Sequence, residues 1–386
     1  MTEIKLLNKI DKTGTDVFDT SKYSLSETHE NPDGILVRSA SMHDMEFGSK
    51  LLAIARAGAG VNNIPLDRCA EKGIVVFNTP GANANGVKEL AIAAMLLASR
   101  NIIGGVNWAS TLKGQPEVGK LVEKGKSKFT GPELKGKTLG VIGLGAIGGM
   151  VANAAYGLGM DVVGCDPYIT VNAAWSLSRA VVKAENYDEI YEKSDYITLH
   201  IPSLSTTKGL INKETIAKMK DGVRIINLSR DDIVNSADMI EALASGKVAA
   251  YVTDFPTDEL IGVEGVIAIP HLGASTPESE ENCAFMAAQQ MVDYLENGNV
   301  RNSVNYPEIV LPRTTVTRVV VLHENIPNML AQISTALSAA NINIESLLSH
   351  AKGNNAISLF DTNCTVSEDV TANILSIPGI RRVMIV

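Results

Sequence analysis

Short apolar runs alternate with helical patterns through most of the chain. From residue 138 onward the apolar runs predict strands at 138–143, 161–165, 196–200, 223–228, 249–254 and 266–269. Helical patterns separate these strands, which is typical of a doubly wound parallel sheet. Upstream, the same alternation predicts strands at Gly34–Arg38, Leu51–Arg56 and Ile74–Phe77. The nearly apolar segment Lys88–Arg100 predicts a buried helix, and the polar, lysine-rich segment Asn101–Lys137 predicts a connection between domains.

The C-terminal part of the chain carries a different pattern. Strand patterns and helix patterns follow one another there as Val316–Leu322, Pro327–Ala340, Asn343–Leu348, Ala356–Asp361, Val370–Leu375 and Arg382–Val386. Strands occupy the first, third, fourth and last places, so the order is βαββαβ, a ferredoxin-like split unit. A long helix, Pro277–Glu296, and a linker, Asn302–Pro307, precede this part.

Composition limits the classes of protein that fit this pattern. A chain of 386 residues with 45% apolar content is long enough for two or three domains with ordinary cores. The net charge of −9 argues against nucleic acid or an anionic membrane as a partner. The four cysteines are scattered without the spacing of a metal site, so we expect reduced thiols. With no apolar run of transmembrane length and no signal peptide, we expect a soluble cytoplasmic protein.

One glycine turn has the features of a dinucleotide-binding loop. The apolar strand Leu139–Ile142 runs into Gly143-Leu-Gly145-Ala-Ile-Gly148, and an alanine-rich helix follows. Gly143 would make the tight turn, Gly145 would let the backbone approach a pyrophosphate, and Gly148 would let helix and strand pack closely. The phosphates would lie at the helix N-terminus, where free N–H groups and the helix dipole favour negative charge.

The next strand ends in an acidic residue at about the distance that the fingerprint requires. Asp166 follows the strand 161–165 and would accept a hydrogen bond from the ribose 2′-OH. No Arg or Lys directly follows Asp166, since the next residues are Pro167, Tyr168 and Ile169. A 2′-phosphate would therefore meet a carboxylate with no cation beside it. The sequence predicts NAD rather than NADP.

Three later strands end in residues suited to acid–base chemistry. Arg230 follows the first, Asp258 and Glu259 follow the second, and His271 follows the third. Ligands of open parallel sheets bind outside the carboxyl ends of the strands. A His there can take a hydroxyl proton near neutral pH, a carboxylate can orient the His, and an Arg can hold a substrate carboxylate. His200 also ends a strand, but Pro202 beside it indicates a structural turn and a residue of the cofactor loop.

Several segments, in order, resemble those of the D-isomer-specific 2-hydroxyacid dehydrogenases. They are Asn78–Asn83 with Glu89, the glycine turn, Leu199–Pro202, Ile226–Arg230 and Pro270–Thr276. The resemblance implies that Arg230 and His271 are catalytic. The family's Asp-Val-Phe motif is one residue short here, as Asp254-Phe255, which leaves the catalytic acid open. Spacing from Arg230 favours Glu259 and the preceding Pro-Thr favours Asp258; we favour Glu259.

The resemblance also implies a set of residues around the cofactor and the substrate. The cofactor-binding residues would be Gly143, Gly145, Ala146, Ile147, Gly148, Asp166, His200, Ile201, Pro202, Leu228, Arg230, Asp254, His271 and Gly273. In family members that oxidise phosphoglycerate, residues matching Arg38 and Ser39 face the substrate phosphate. The loop matching Gly58, Ala59 and Gly60 binds the substrate carboxylate, together with Arg230.

The activity implied is NAD-dependent oxidation of 3-phospho-D-glycerate to 3-phosphohydroxypyruvate, the first step of L-serine biosynthesis. One alternative is a dehydrogenase for another D-2-hydroxy acid, of the glycerate or lactate type. Another is a non-catalytic sensor of NAD or an amino acid, against which the presence of both Arg230 and His271 argues.

The tail resembles an ACT domain, a module that usually binds amino acids at a domain interface. In serine-inhibited relatives, residues matching His323, Asn325 and Asn343 hold serine. Asn328 stands where that family has a glycine, so we expect weak or absent serine binding and a role mainly in assembling a homodimer or homotetramer. The expected domains are a flavodoxin-like substrate-binding domain (1–104 and 282–312), a Rossmann NAD-binding domain (105–281) and the ACT domain (315–386).

Overall fold

The computed structural model describes all 386 residues, from Met1 to Val386. The strands are β1 (Thr2–Leu7), β2 (Tyr23–Ser26), β3 (Gly34–Val37), β4 (Ala53–Arg56), β5 (Val75–Phe77), β6 (Thr138–Ile142), β7 (Asp161–Cys165), β8 (Val182–Lys183), β9 (Tyr196–Leu199), β10 (Val223–Asn227), β11 (Val248–Thr253), β12 (Val266–Ala268), β13 (Thr317–Glu324), β14 (Ile344–Lys352), β15 (Asn355–Thr362) and β16 (Ile380–Ile385). The α-helices are α1 (Lys12–Thr15), α2 (Leu66–Glu71), α3 (Ala84–Ser99), α4 (Ile102–Thr111), α5 (Val118–Gly125), α6 (Ala146–Gly157), α7 (Val171–Trp175), α8 (Tyr187–Lys193), α9 (Lys213–Ala217), α10 (Ser236–Ala244), α11 (Pro277–Asn297), α12 (Met329–Ala339) and α13 (Glu368–Leu375).

The chain forms two compact units, residues 1–83 with 277–386, and residues 84–276. In the first unit, β2-β1-β3-β4-β5 form a parallel sheet in that order. This is the flavodoxin-like order, as predicted. The sequence patterns identified β3, β4 and β5 but not β1 and β2, because β1 buries only Ile4 fully and therefore lacks an apolar run.

The C-terminal residues of the first unit form an antiparallel sheet in the order β14-β15-β13-β16. With α12 and α13 in their places, the predicted ferredoxin-like βαββαβ order is confirmed. One face of this sheet, including Val320 and Leu359, shares a core with Met291 and Tyr294 of α11. The other face packs beneath α12 and α13. Because the first core is continuous, the tail and residues 1–83 fall in one unit.

The second unit contains a parallel sheet of seven strands, β12-β11-β10-β9-β6-β7-β8. Numbered from β6, this is the doubly wound 3-2-1-4-5-6 order with one further strand, so the predicted Rossmann architecture is confirmed. The strand order reverses between β6 and β9, which is where ligands of such sheets bind. Helix α3 belongs to this unit because Ala91 and Met95 share a core with Val151 of α6. The predicted three-domain boundaries, which put α3 with the substrate-binding domain, stay a prediction.

The segment expected to be a simple connection, Asn101–Lys137, contains α4, α5 and a 3₁₀-helix at Lys126–Phe129. Helix α4 buries no residue, and it exposes Ile102, Ile103 and Val106. No helix of the protein is by itself both long and apolar enough to cross a membrane. Helices α3 and α4 reach that length and composition only together, across a 66° bend.

A buried ion pair anchors the tail sheet to the end of α11. Arg318 on β13 and Asp361 on β15 are fully buried, with Nε–Oδ1 and Nη2–Oδ2 distances of 2.5 and 3.0 Å. The same guanidinium donates at 2.9 Å to the carbonyl of Asn297 at the end of α11 and at 2.9 Å to that of Leu311, in the longer linker that joins α11 to β13. Arg318 therefore ties the helix, the linker and the tail sheet together at one point.

We expect Arg318→Met to lower the free energy of unfolding by about 3–5 kcal/mol, because it leaves the Asp361 carboxylate buried and unpaired. Adding Asp361→Leu should recover part of that loss, since the double variant buries no lone charge. Lys213→Met breaks the exposed pair with Glu241 and serves as the control, with an expected loss much smaller than that of Arg318→Met. Urea unfolding midpoints measure all three; a loss no larger for Arg318→Met than for the control would contradict the anchoring role.

Candidate active site

The glycine turn after β6 leaves open space at an uncapped helix N-terminus. Gly143 has a φ of 90°, and a Cβ there would lie 2.4 Å from the carbonyl oxygen of His200. A Cβ at Gly148 would lie 1.9 Å from the Gly143 oxygen, so neither position has room for a side chain. At Gly145, by contrast, a Cβ would meet nothing within 4 Å, and no side chain caps α6. Open space beside free N–H groups suits a phosphate.

Asp166 lies beside this turn and is held by two backbone amides. Its Oδ2 accepts a hydrogen bond from Leu144 N–H at 2.9 Å, and its Oδ1 accepts one from Tyr168 N–H at 2.9 Å. The carboxylate is half-buried and forms no ion pair. Each oxygen keeps further lone pairs, so the carboxylate can still accept hydrogen bonds from ribose hydroxyl groups.

The loop after β9 lies against the glycine turn. His200 N–H donates to the carbonyl of Ile142 at 2.8 Å, and its Nε2 is 2.9 Å from Thr198 Oγ1. Burial lowers the pKa of His200 to about 4. The ring is therefore neutral at physiological pH, and its assignment to the cofactor loop stays a prediction.

Arg230 directly follows Ser229 in the loop after β10. Asn227 Nδ2 donates to the Arg230 carbonyl at 2.8 Å, and Arg230 Nη1 donates to the Ser229 carbonyl at 2.6 Å. The guanidinium carbon lies 5.3 Å from the centre of the Phe255 ring, a cation–π distance. The side chain is otherwise exposed, so its remaining donors are open to a ligand.

His271, after β12, contacts the same aromatic ring. The His271 and Phe255 ring centres are 4.3 Å apart, with an angle of 46° between the rings. The structure thus brings two sequence-predicted residues, Arg230 and His271, to one phenyl ring. Phe255 had no predicted role, although its place just after a strand end is the same signal that singled out its neighbours.

Of the nearby carboxylates, only Asp254 is buried. Burial raises the pKa of Asp254, and the positive charges of His271 and Arg230 oppose that rise. Its Oδ1 has no hydrogen-bond partner. An orphaned acceptor at the strand end suits an amide donor, which a nicotinamide carries, so this atom and the open helix N-terminus both fit a dinucleotide.

The two predicted acids lie further along the same loop. Asp258 and Glu259 are exposed and make no hydrogen bond or ion pair in the structure. The choice of either as the partner of His271 therefore stays a prediction.

In the first unit, the loop Gly58–Gly60 directs its carbonyl groups inward. These carbonyls accept hydrogen bonds from Thr79 N–H at 3.1 Å, from Asn78 Nδ2 at 2.6 Å and from Arg56 Nη1. The N–H groups of Ala59 and Gly60 donate to no protein atom. Free amides on a loop with satisfied carbonyls form a site for a carboxylate or another anion.

Arg38 and Ser39 follow β3 in this unit. Arg38 Nη2 donates to Glu280 Oε1 at 2.7 Å, and both side chains are about two-fifths exposed, at 40% and 42%. The Ser39 amide donates to Asn8 Oδ1 at 3.1 Å. The guanidinium predicted to bind a phosphate is thus already paired with a carboxylate.

The three residues that match the serine-binding residues of relatives have protein partners in the structure. His323 is buried, with Nε2 at 2.8 Å from Ser358 Oγ and Nδ1 at 2.8 Å from the Glu324 carbonyl, and burial lowers its pKa. Asn325 Nδ2 donates to the Gly353 carbonyl at 3.1 Å, and Asn343 Nδ2 to Glu345 at 2.8 Å. Weak or absent binding of serine by these residues stays a prediction.

Comparisons with known proteins agree with this geometry. Residues 92–273 match the family described as "D-isomer specific 2-hydroxyacid dehydrogenase, NAD binding domain". The chain is 38% identical over 290 residues to D-3-phosphoglycerate dehydrogenase of Archaeoglobus fulgidus, covering 72% of this chain and 52% of that protein. It is 36% identical over 285 residues to the Bacillus subtilis protein of the same name, covering 71% and 52%. The chain therefore spans about half the length of these relatives.

A solved structure shows the same likeness over nearly its whole length. It is 3-phosphoglycerate dehydrogenase of Entamoeba histolytica with NAD⁺ bound, matched with a TM-score of 0.62 and 29% identity over 79% of this chain and 98% of that one. Residues 92–273 therefore belong to the NAD-binding domain family of the D-isomer-specific 2-hydroxyacid dehydrogenases.

Proposed function

We propose that the protein oxidises 3-phospho-D-glycerate to 3-phosphohydroxypyruvate with NAD, the first step of L-serine biosynthesis. The observation that carries the proposal is the grouping of Arg230, Asp254 and His271 around Phe255. These residues follow the carboxyl ends of β10, β11 and β12, which are neighbouring strands. The glycine turn follows β6 of the same sheet. The names of the similar proteins support the choice of substrate.

Each residue of this group has a separate task in the proposed reaction. NAD, when bound, accepts the hydride from the carbon that bears the substrate hydroxyl. His271 takes the hydroxyl proton on a ring nitrogen. Arg230 holds the carboxylate and the oxygen that becomes a carbonyl, for which its planar donors are suited. The negative charge of Asp254 stabilises the positive charge that the His271 ring gains with that proton.

The remaining residues bind the ends of the two ligands. Ala146, Ile147 and Gly148 begin α6, where backbone amides can hold the pyrophosphate, while Asp166 accepts from the ribose. The loop Gly58–Gly60 offers amides to the substrate carboxylate, and Arg38 offers its guanidinium to the phosphate. One observation favours the alternative of an unphosphorylated D-2-hydroxy acid. The Arg38 guanidinium is already paired with the Glu280 carboxylate.

The protein should also self-associate as a homodimer or homotetramer. The support for this in the second unit is α4, whose Ile102, Ile103 and Val106 remain in water in the single chain. Apolar side chains grouped on one exposed helix are typical of an interface between proteins. A cytoplasmic location and an assembly role for the tail stay predictions.

Replacing the ribose acceptor should weaken cofactor binding. In Asp166→Ala the ribose hydroxyls lose a charge-assisted acceptor worth about 1.5–3 kcal/mol, so the Kd for NAD should rise and the preference for NAD over NADP should fall. Asp161→Ala, at the exposed start of the same strand, removes the same charge and should leave both unchanged. Calorimetric titration of NAD and NADP measures the effect; an unaltered NAD/NADP preference in Asp166→Ala would rule this role out.

Removing the proposed base should lower kcat strongly without weakening the binding of NAD. We expect His271→Ala to lower kcat by about 10²- to 10⁴-fold, because no other group takes the hydroxyl proton, and to leave the Kd for NAD nearly intact. His350→Ala, on the tail sheet, is the matched control. A kcat for His271→Ala close to that of the control would overturn the site.

The same assay ranks the three carboxylates through Asp254→Asn, Asp258→Asn and Glu259→Gln. Because Asp254 alone is buried and lies in the field of both cations, we expect its substitution to cost the most in kcat. The largest loss at Glu259 would instead support the sequence-based prediction.

The phosphate contact predicts a split between two substrates. Arg38→Met should raise KM for 3-phosphoglycerate much more than KM for D-glycerate, since only the first has a phosphate to pair with. Steady-state kinetics on both substrates decides this. Equal effects on the two KM values would remove Arg38 from phosphate recognition and favour the unphosphorylated class.

A further inference from the structure

The ion pair between Arg38 and Glu280 joins residues far apart in the sequence. Glu280 lies in the first turn of α11, where a carboxylate is favoured by the helix dipole, and Arg38 directly follows β3. Only one hydrogen bond links the two side chains, from Nη2 to Oε1 at 2.7 Å. The second carboxylate oxygen accepts no hydrogen bond from the guanidinium, so the contact is single rather than the two-point pairing of which both groups are capable.

A single, half-exposed contact of this kind can open. Exposed ion pairs contribute at most about 1 kcal/mol, or roughly a fivefold factor in an equilibrium. A phosphate monoester carries up to two negative charges and three acceptor oxygens, so it can bind an arginine at two points. It should displace the Glu280 carboxylate, whereas a neutral hydroxyl group or a weakly bound anion should not.

We propose that Glu280 competes internally with anionic ligands for Arg38 and thereby weakens the binding of phosphate monoesters at this position relative to uncharged groups. The proposal rests on the proposed function, in which Arg38 binds the substrate phosphate. In the ligand-free protein the Glu280 carboxylate keeps the guanidinium in place. When a phosphate binds, the pair opens, and the cost of opening is subtracted from the binding of every anion equally.

The Glu280→Gln variant tests the competition, because it keeps the size of the side chain and removes its charge. We expect KM for 3-phosphoglycerate to fall about three- to tenfold, from loss of the competing pair and of its repulsion of the phosphate. KM for D-glycerate should not change, and inhibition by inorganic sulfate should become stronger. Glu278→Gln, an exposed change of the same charge in the same helix turn, is the matched control and should have no effect.

A double-variant cycle shows whether the effect passes through Arg38. In the Arg38→Met background, Glu280→Gln should leave KM for 3-phosphoglycerate unchanged. A decrease of equal size in both backgrounds, or an equal decrease in Glu278→Gln, would mean general electrostatics and would overturn the proposal.

Binding of inorganic phosphate, measured by calorimetry, tests the competition without turnover. Tighter binding to Glu280→Gln than to the unaltered protein supports the proposal, and equal binding overturns it. If the protein fails to oxidise 3-phosphoglycerate but Glu280→Gln still binds inorganic phosphate more tightly, the proposed function fails while the competition at Arg38 stands.

Discussion

The close approach of two backbone segments at the ends of β6 and β9 determines where the second unit can bind a ligand. Gly143 has no space for a side chain because the His200 carbonyl lies against it, and Gly148 has none because Gly143 lies against it. These contacts hold α6 so that its N-terminus opens at the point where the strand order reverses. The loops with Arg230, Asp254 and His271 follow the carboxyl ends of other strands in the same parallel sheet. A side chain at either glycine would displace the helix and with it the proposed phosphate site.

The sequence predicted the elements of both parallel sheets best where strands are buried on both faces. Strands such as β6 and β10 are buried over most of their length, and they were located to within a residue at each end. The first two strands were missed because β1 mixes charged and apolar residues and β2 alternates apolar residues with serines and buries only Tyr23. Helices α4 and α5 were missed because α4 buries no residue and α5 is only eight residues long, so the polar, lysine-rich composition of the segment indicated a connection instead.

The grouping of residues at the candidate site was predictable to the extent that it depends on strand ends. Arg230 and His271 were identified because each lies just beyond a strand of one parallel sheet, where side chains meet. The role of Phe255 as their common neighbour could not be read from the chain, since it depends on the direction of a ring in a loop. The pairing of Arg38 with Glu280 was equally hidden, because a contact across 242 residues leaves no local pattern. At Asn328, where a glycine was expected, the backbone has a φ of 72°, which asparagine tolerates better than most residues.

The core shared by the tail sheet and α11 has a consequence for how such a chain can be recombined. Val320 and Leu359 pack on the same side chains that cover the first parallel sheet, and Arg318 binds carbonyl groups of the helix and the linker. A cut in the linker would therefore expose apolar surface on both pieces and leave two carbonyl groups without their donor. The tail is therefore not an independent module that can be replaced by cutting the chain at its linker. Any transplanted module would need a matching arginine and a matching apolar face to replace it.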